Sequence, residues 1–224
     1  MKLAYGKEIP TTLEELVDPK RTALLIVDVQ NDYAKENGKL LFPEMIASLR
    51  MTIDEARRVG VFVIYIQDTL LPGRISDSAV SIRRYMVAYG KSSPEDIPAT
   101  AVEGTYGQEF VEEIRPLKDD IVIKKFRGSG FVGTGLDLLL RSNDIRNVIV
   151  TGMDTHGCVE STCRGAGDYQ LVVLRDCVNT KNQELHKACL KIMESGRDVV
   201  TSNEVIEIWK KHPSTHQSNS VPRI

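Results

Sequence analysis

The sequence predicts a doubly wound α/β domain: a mainly parallel sheet with helices on both faces. Three observations carry this. Short β-branched apolar runs alternate with stretches of helical periodicity along most of the chain, the pattern of βαβ units. The runs are continuously apolar rather than alternating, as expected of strands covered on both sides. The chain has 224 residues, and no linker, internal repeat or low-complexity segment divides it, so one domain is expected over residues 21–211.

Residues 1–20 read as a polar arm, with a turn of helix at Leu13 to Val17 before Pro19. Thr22–Val27 (TALLIV) is the first strand and ends at Asp28; Gln30, Asn31, Asp32 and Tyr33 follow in a loop. Residues 44–59 place Ile46, Leu49, Ile53 and Ala56 on one helical face, and Gly60 ends that helix. Residues 61–66 form the second strand. Residues 70–106, punctuated by Pro72-Gly73, Pro94 and Pro98, show little regularity beyond a short helix near 81–89, and so read as a lid or interface element. A short helix at 108–114, a strand at Ile121–Lys125, a turn at Gly128-Ser129-Gly130 and a helix at 135–142 come next. The fourth strand, 147–150, leads through a tight turn to Cys158 and a helix reaching about Tyr169. Residues 171–174 are the fifth strand, 182–195 a long helix, Val199-Val200 a short sixth strand and 204–210 a last helix. The polar, Pro- and Ser-containing stretch 212–224 is expected to be a disordered tail.

Composition bounds function. The 29 basic and 31 acidic residues nearly cancel, so no basic excess draws the chain to nucleic acid. The longest apolar runs are far too short to span a bilayer, and the opening MKLAYGKEIP lacks the apolar core of a secretory leader; a soluble, cytoplasmic protein is expected. The cysteines at 158, 163, 177 and 189 form neither a CxxC pair nor a zinc-finger pattern. Cys163, Cys177 and Cys189 read as packing residues. Cys158 stands where a strand hands over to a helix, a position expected to favour the thiolate.

In a parallel sheet the carboxyl ends of the strands share one edge, so Asp28, the Lys124-Lys125 pair and Cys158 can converge there. A carboxylate can take the thiol proton and an ammonium can orient the carboxylate, while turn N–H groups hold an oxyanion. An acidic residue ending a strand also serves as a cap or turn residue, and the residues alone leave both readings open. Tyr33 and Phe131 are candidate pocket walls. Gln30 and Asn31 either contact substrate or cap their loop. Arg74, Arg83 and Arg84 are a candidate carboxylate clamp or simply solvated. His156 is assigned to a turn or interface role. Gly128-Ser129-Gly130 lacks the length and ending of a phosphate loop.

LLIVDVQNDY (24–33), KFRGSGF (125–131) and VTGMDTHGCVEST (150–162) resemble the isochorismatase-like cysteine hydrolases. The resemblance covers roughly residues 20–210 and implies a six-stranded parallel sheet with a Cys–Asp–Lys triad that hydrolyses C–N amide bonds. It matches Asp28 to the base, Cys158 to the nucleophile and Lys125, with Arg127, Ser129 and Phe131 in register, to the lysine; Lys124 falls out of register. It further implies a cis Met153–Asp154 peptide, an oxyanion hole from the N–H groups of Asp154 and Cys158, and Asp154 beside the substrate. Isochorismatases proper resemble the chain in fold without the cysteine, which points to an amidase branch. The metal-binding D-x-H pattern of the nicotinamidases is replaced here by Gln67-Asp68-Thr69-Leu70, and the four histidines at 156, 186, 212 and 216 assemble no such cluster. No metal and no cofactor are therefore expected. TG-x-x-T-x-GCV (151–159) is most similar to the N-carbamoylsarcosine amidase branch, with biuret- and ureidoacrylate-cleaving relatives close by. The expected partner is a small amide, N-carbamoyl or ureido substrate, and the resemblance implies a homodimer or homotetramer. The competing expectations are a non-catalytic binding relative of the same fold and a thiol redox protein; the latter fits poorly without CxxC spacing.

Overall fold

The computed structural model describes residues 1–215. Its centre is a six-stranded sheet of β1 (Thr22–Val27), β2 (Phe62–Asp68), β3 (Ile121–Lys125), β4 (Asn147–Met153), β5 (Gln170–Asn179) and β6 (Asp198–Val200). The strands lie in the order β6-β5-β4-β1-β2-β3, and every neighbouring pair is parallel. The chain builds outward from β1 to one edge, then returns to β4 on its other side. The order therefore reverses between β1 and β4, and a crevice opens there outside the strands' carboxyl ends.

All six residues of β1 and all seven of β4 are buried, which is why each carries a continuous apolar run, Ala23 to Val27 and Val148 to Val150. Side chains alternate between two cores. Leu24 and Ile26 face α1 (Pro43–Val59) and Trp209 of α6 (Ser202–Trp209), whereas Ala23, Leu25 and Val27 face α3 (Leu136–Ser142), α4 (Glu160–Gly165) and α5 (Gln183–Glu194). Gly60 ends α1 in the left-handed conformation, and its N–H closes on Ala56.

Several elements differ from expectation. The arm opens with an antiparallel hairpin, Lys2–Ala4 against Lys7–Ile9. Only Glu112–Ile114 is helical in segment 108–114, as one 3-10 turn. The residues before it run extended against the Asp28 loop, with Asn31 N–H donating to Glu109 at 2.9 Å and Val111 N–H to Val29 at 3.1 Å. Strand β5 continues five residues further than its apolar run suggested, to Asn179, because the carboxylate of Asp176 is satisfied by Ser202, whose N–H (2.8 Å) and hydroxyl (2.6 Å) open α6. The helix after Cys158 stops at Gly165. Segment 70–106 contains α2 (Ala79–Ala88) and two 3-10 turns. Residues 212–215 of the expected tail are tied back by Arg58, which donates to His212 (3.0 Å) and accepts from the Thr215 N–H (2.9 Å). Residues 216–224 lie outside the described residues. Among the described residues no helix is long and apolar enough to cross a membrane.

Candidate active site

Sheet register sets the site. Val27 pairs with Ile66 on one side and Gly152 on the other, so the residues following β1, β2 and β4 leave the sheet at one level. Asp68, at the end of β2, is directly opposite Lys125, at the end of β3. Asp28 leaves β1 with φ 53, a turn into the left-handed region that Asp tolerates better than most residues. Cys158 lies in a π-helical turn, Thr155–Val159, immediately before α4. The Asp154 carbonyl closes this turn, accepting from Gly157 N–H at 2.9 Å and Val159 N–H at 3.2 Å. The Met153–Asp154 peptide entering it is cis.

The Lys125 ammonium is the hub. Its Nζ lies 2.8 Å from Asp28 Oδ2, 3.0 Å from Asp68 Oδ1 and 3.3 Å from Cys158 Sγ. Lys125 is 0% exposed and Asp28 2%, so these charges interact with little screening by water. The loop after Lys125 is docked onto the nucleophile's helix: Gly130 N–H donates to Thr162 Oγ1 at 2.9 Å. That approach requires Gly165, where an added Cβ would lie 2.5 Å from Ser129 Oγ. Arg127 donates to the Ser76 carbonyl at 2.9 Å and so fastens segment 70–106 to the same loop.

Burial, reinforced by the negative charge of Asp68, pushes the Asp28 carboxyl up to about 7 even though the Lys125 ammonium pulls it down. Burial also works against the Lys125 charge, but Asp28, Cys158 and Asp68 together hold its pKa well above the usual lysine range. The thiol departs from expectation. Burial and the Asp28 charge outweigh Lys125 and raise Cys158 well above the ordinary thiol range. A short helix start does not overcome desolvation here, so the resting form pairs a neutral thiol with a carboxylate. That pair needs a base to become a nucleophile, and a carboxylate titrating near neutrality is matched to the task.

Asp28 and Cys158 open onto a cavity of about 450 Å³ whose walls include Tyr33, Asp68, Phe126, Tyr85, Arg84 and Asp154. A larger groove of about 590 Å³ lies between the N-terminal arm and the α3–β4 connection, and neither Asp28, Lys125 nor Cys158 lines it. The site is the smaller cavity, because the chemistry is there.

Two expected substrate contacts lie elsewhere. Gln30 is fully buried and does not line the cavity; its amide donates to the carbonyls of Asp68 (2.9 Å) and Gln108 (2.8 Å) and accepts from Asp68 N–H (2.9 Å). Asn31 likewise donates to the Tyr106 carbonyl at 2.9 Å. Phe131 turns onto the opposite side of its loop and packs on Tyr169, with ring centroids 5.8 Å apart; Phe126 takes the place in the wall expected of it. Tyr33 does line the cavity, its hydroxyl 2.6 Å from Asp68 Oδ2. Lys124 is an exposed neighbour paired with Glu103 at 2.7 Å. Of the three arginines, Arg74 and Arg84 line the cavity and Arg83 does not; Arg74 is held there by Asp77 (3.0 Å) and the carbonyls of Ile97 and Pro98. His156 sits exposed on the rim. Cys163, Cys177 and Cys189 are buried in the cores. Sequence reasoning missed Asp68 as a member of the site. Its signal was an acid at the end of a strand, as with Asp28, but the absent histidine drew the reading to the metal pattern instead.

Among the described residues no group of three or more His, Cys, Asp or Glu side chains could hold a metal ion. The one acid of the D-x-H position, Asp68, is engaged by Lys125 and Tyr33.

Comparison with known proteins shows the family and the fold. The isochorismatase domain matches residues 22–204. A ureidoacrylate amidohydrolase, RutB, from Pantoea ananatis is 33% identical over 194 residues, covering 79% of this chain and 77% of that protein. The crystal structure of N-carbamoylsarcosine amidase from Thermoplasma acidophilum superimposes with a TM-score of 0.65 at 29% identity, over 82% of this chain and 97% of its own. An isochorismatase-like hydrolase from Alkaliphilus metalliredigens gives a TM-score of 0.71 at 27% identity, over 84% and 99% of the two chains.

Proposed function

Because the chain belongs to the isochorismatase family, we propose that it is a cysteine amidohydrolase that cleaves the C–N bond of a small ureido, N-carbamoyl or amide compound. The observation that carries this is the Lys125 ammonium within hydrogen-bond reach of both Asp28 and Cys158, which line a cavity of about 450 Å³. The names of the relatives, a ureidoacrylate amidohydrolase and an N-carbamoylsarcosine amidase, support the bond type.

In this mechanism Asp28 accepts the Cys158 proton while Lys125 holds both groups in place. The sulfur adds to the substrate carbonyl, and the oxyanion is received by the N–H groups of Asp154 and Cys158. Collapse breaks the C–N bond, and protonated Asp28 gives its proton to the departing ammonia or amine. A water molecule then loses a proton to Asp28, attacks the thioester carbonyl, and releases the acid as the proton returns to the thiolate. No step requires a metal or cofactor, and the same reading carries a cytoplasmic homodimer or homotetramer.

Arg84 lies on the wall contributed by α2, 5.1 Å from the Tyr85 ring centroid. It supplies the cation for a substrate with a carboxylate at the far end from the scissile bond. Arg84→Gln should raise KM for such a substrate about tenfold with kcat little changed, since uniform binding is what it removes. An ammonia-release screen across ureido acids, N-carbamoyl acids and simple amides tests the assignment. Turnover of at least one ureido or carbamoyl acid is expected; no release from any of the three classes would refute it.

A further inference from the structure

Two carboxylates, not one, flank the buried ammonium. We propose that Asp68 is a positioning residue of the site: the permanent counter-ion of Lys125, which leaves Asp28 free to change its protonation state during each turnover. The inference rests on the reading of Asp28 as the base.

The geometry distinguishes the two acids. Both oxygens of Asp68 are engaged, Oδ1 by Lys125 at 3.0 Å and Oδ2 by the Tyr33 hydroxyl at 2.6 Å. Tyr33 is in turn 3.3 Å from Thr100 Oγ1. The Asp68 backbone is fixed as well, since its N–H and carbonyl both bond the buried amide of Gln30. Asp28, by contrast, meets the ammonium through Oδ2, and its other side-chain partner is the Cys158 thiol, the group whose proton it is to take. Asp68 is thus anchored by two groups that take no part in the proton transfer, whereas one of the two partners of Asp28 is the proton donor itself. When Asp28 takes the thiol proton it becomes neutral. Without Asp68 the buried ammonium would then face only the new thiolate, and would follow that charge toward the substrate. With Asp68 it keeps a fixed partner, and its position serves both halves of the reaction.

The groups facing this cluster are Asp28 from the end of β1, Tyr33 from the one-turn helix Asn31–Ala34, Asp68 from β2, Lys125 from β3, Cys158 from the nucleophile turn, and Tyr85 from α2, which senses the Asp68 charge. Asp68→Asn removes a negative charge near Asp28 and leaves Asp28 as the only carboxylate on Lys125. Both changes favour ionised Asp28. The acid limb of Cys158 reactivity should therefore move to lower pH by roughly one unit.

The test is the rate of Cys158 alkylation by iodoacetamide against pH, read by peptide mass spectrometry, in the wild-type chain and in Asp68→Asn. It needs no substrate, so it stands apart from any failure to find one. A downward shift of the limb in the variant, with an unchanged circular-dichroism spectrum, is the expected result. A limb at the same pH in a folded Asp68→Asn protein would overturn the proposal. If Asp68→Asn does not fold, Tyr33→Phe, which frees one Asp68 oxygen, must alter the limb or the proposal fails. Given a substrate, Asp68→Asn should lower kcat at least tenfold more than it raises KM, whereas a defect in KM alone would count against a role at Lys125.

Discussion

Asp28 carries the pH dependence of the proposed chemistry. Its folded pKa is about 7, raised from the ordinary carboxylate value by burial. The base must be ionised, so kcat/KM should fall tenfold per pH unit below about 7 and level off above it. The check is a kcat/KM profile from pH 5 to 9; a plateau reaching down to pH 5 would rule out this base. The same shift has a sign for stability. Ionising a carboxyl whose pKa is higher in the folded than in the unfolded state costs stability as pH rises from about 4 to about 7. Lys125→Ala makes this stronger, because Asp28 and Asp68 are left together with no cation. Urea denaturation at neutral pH should show a loss of about 3–5 kcal/mol, shrinking as pH falls and the acids protonate. Asp28 and Cys158 were legible in the sequence because each follows an unmistakable buried strand, and Lys125 was separated from Lys124 by the resemblance. Gln30 and Phe131 were not, since a polar or aromatic residue in a loop reveals its type but not the side to which it turns. Here Gln30 satisfies backbone groups and Phe131 fills a helix contact.

At the scale of elements, the approach of β4 to β1 fixes where the nucleophile turn starts. Gly152 has φ 111, and an added Cβ would lie 2.0 Å from the Val27 carbonyl oxygen, a backbone atom with nowhere to go. The register of β4 against β5 also shifts between Val150 and Gly152. Gly152→Ala should therefore destabilise the chain by about 2–4 kcal/mol and displace Cys158 from Lys125. Thermal unfolding and thiol reactivity measured together would show both; a wild-type Tm would contradict the close approach. Strands β1 to β4 and helices α1, α3 and α5 were legible because their apolar periodicity comes from burial against the sheet. The second half of β5 and the extended run before Glu112 were not. Their pairing is set by partners distant in sequence, Ser202 for Asp176 and the Val29–Asn31 loop for residues 109–111. Segment 70–106 gave up least, because its turns pack on the site's loop through Arg127 rather than on the sheet.

For the whole molecule, function follows from topology. Four groups separated by as many as 130 positions in sequence, from residue 28 to residue 158, meet because parallel strands end on one rim and the strand order reverses beside β1. Fold class and rim were readable from alternation and apolar runs alone. Which helical turn supplies the sulfur's surroundings, and that those surroundings keep the thiol neutral, required three dimensions. The central claim is that the sulfur of Cys158 forms the bond to the substrate carbonyl. Ammonia release by the Cys158→Ala protein, folded by circular dichroism and assayed on the best ureido or carbamoyl acid, tests it most directly. Release at the uncatalysed background is the predicted result; turnover at the wild-type rate would contradict the account.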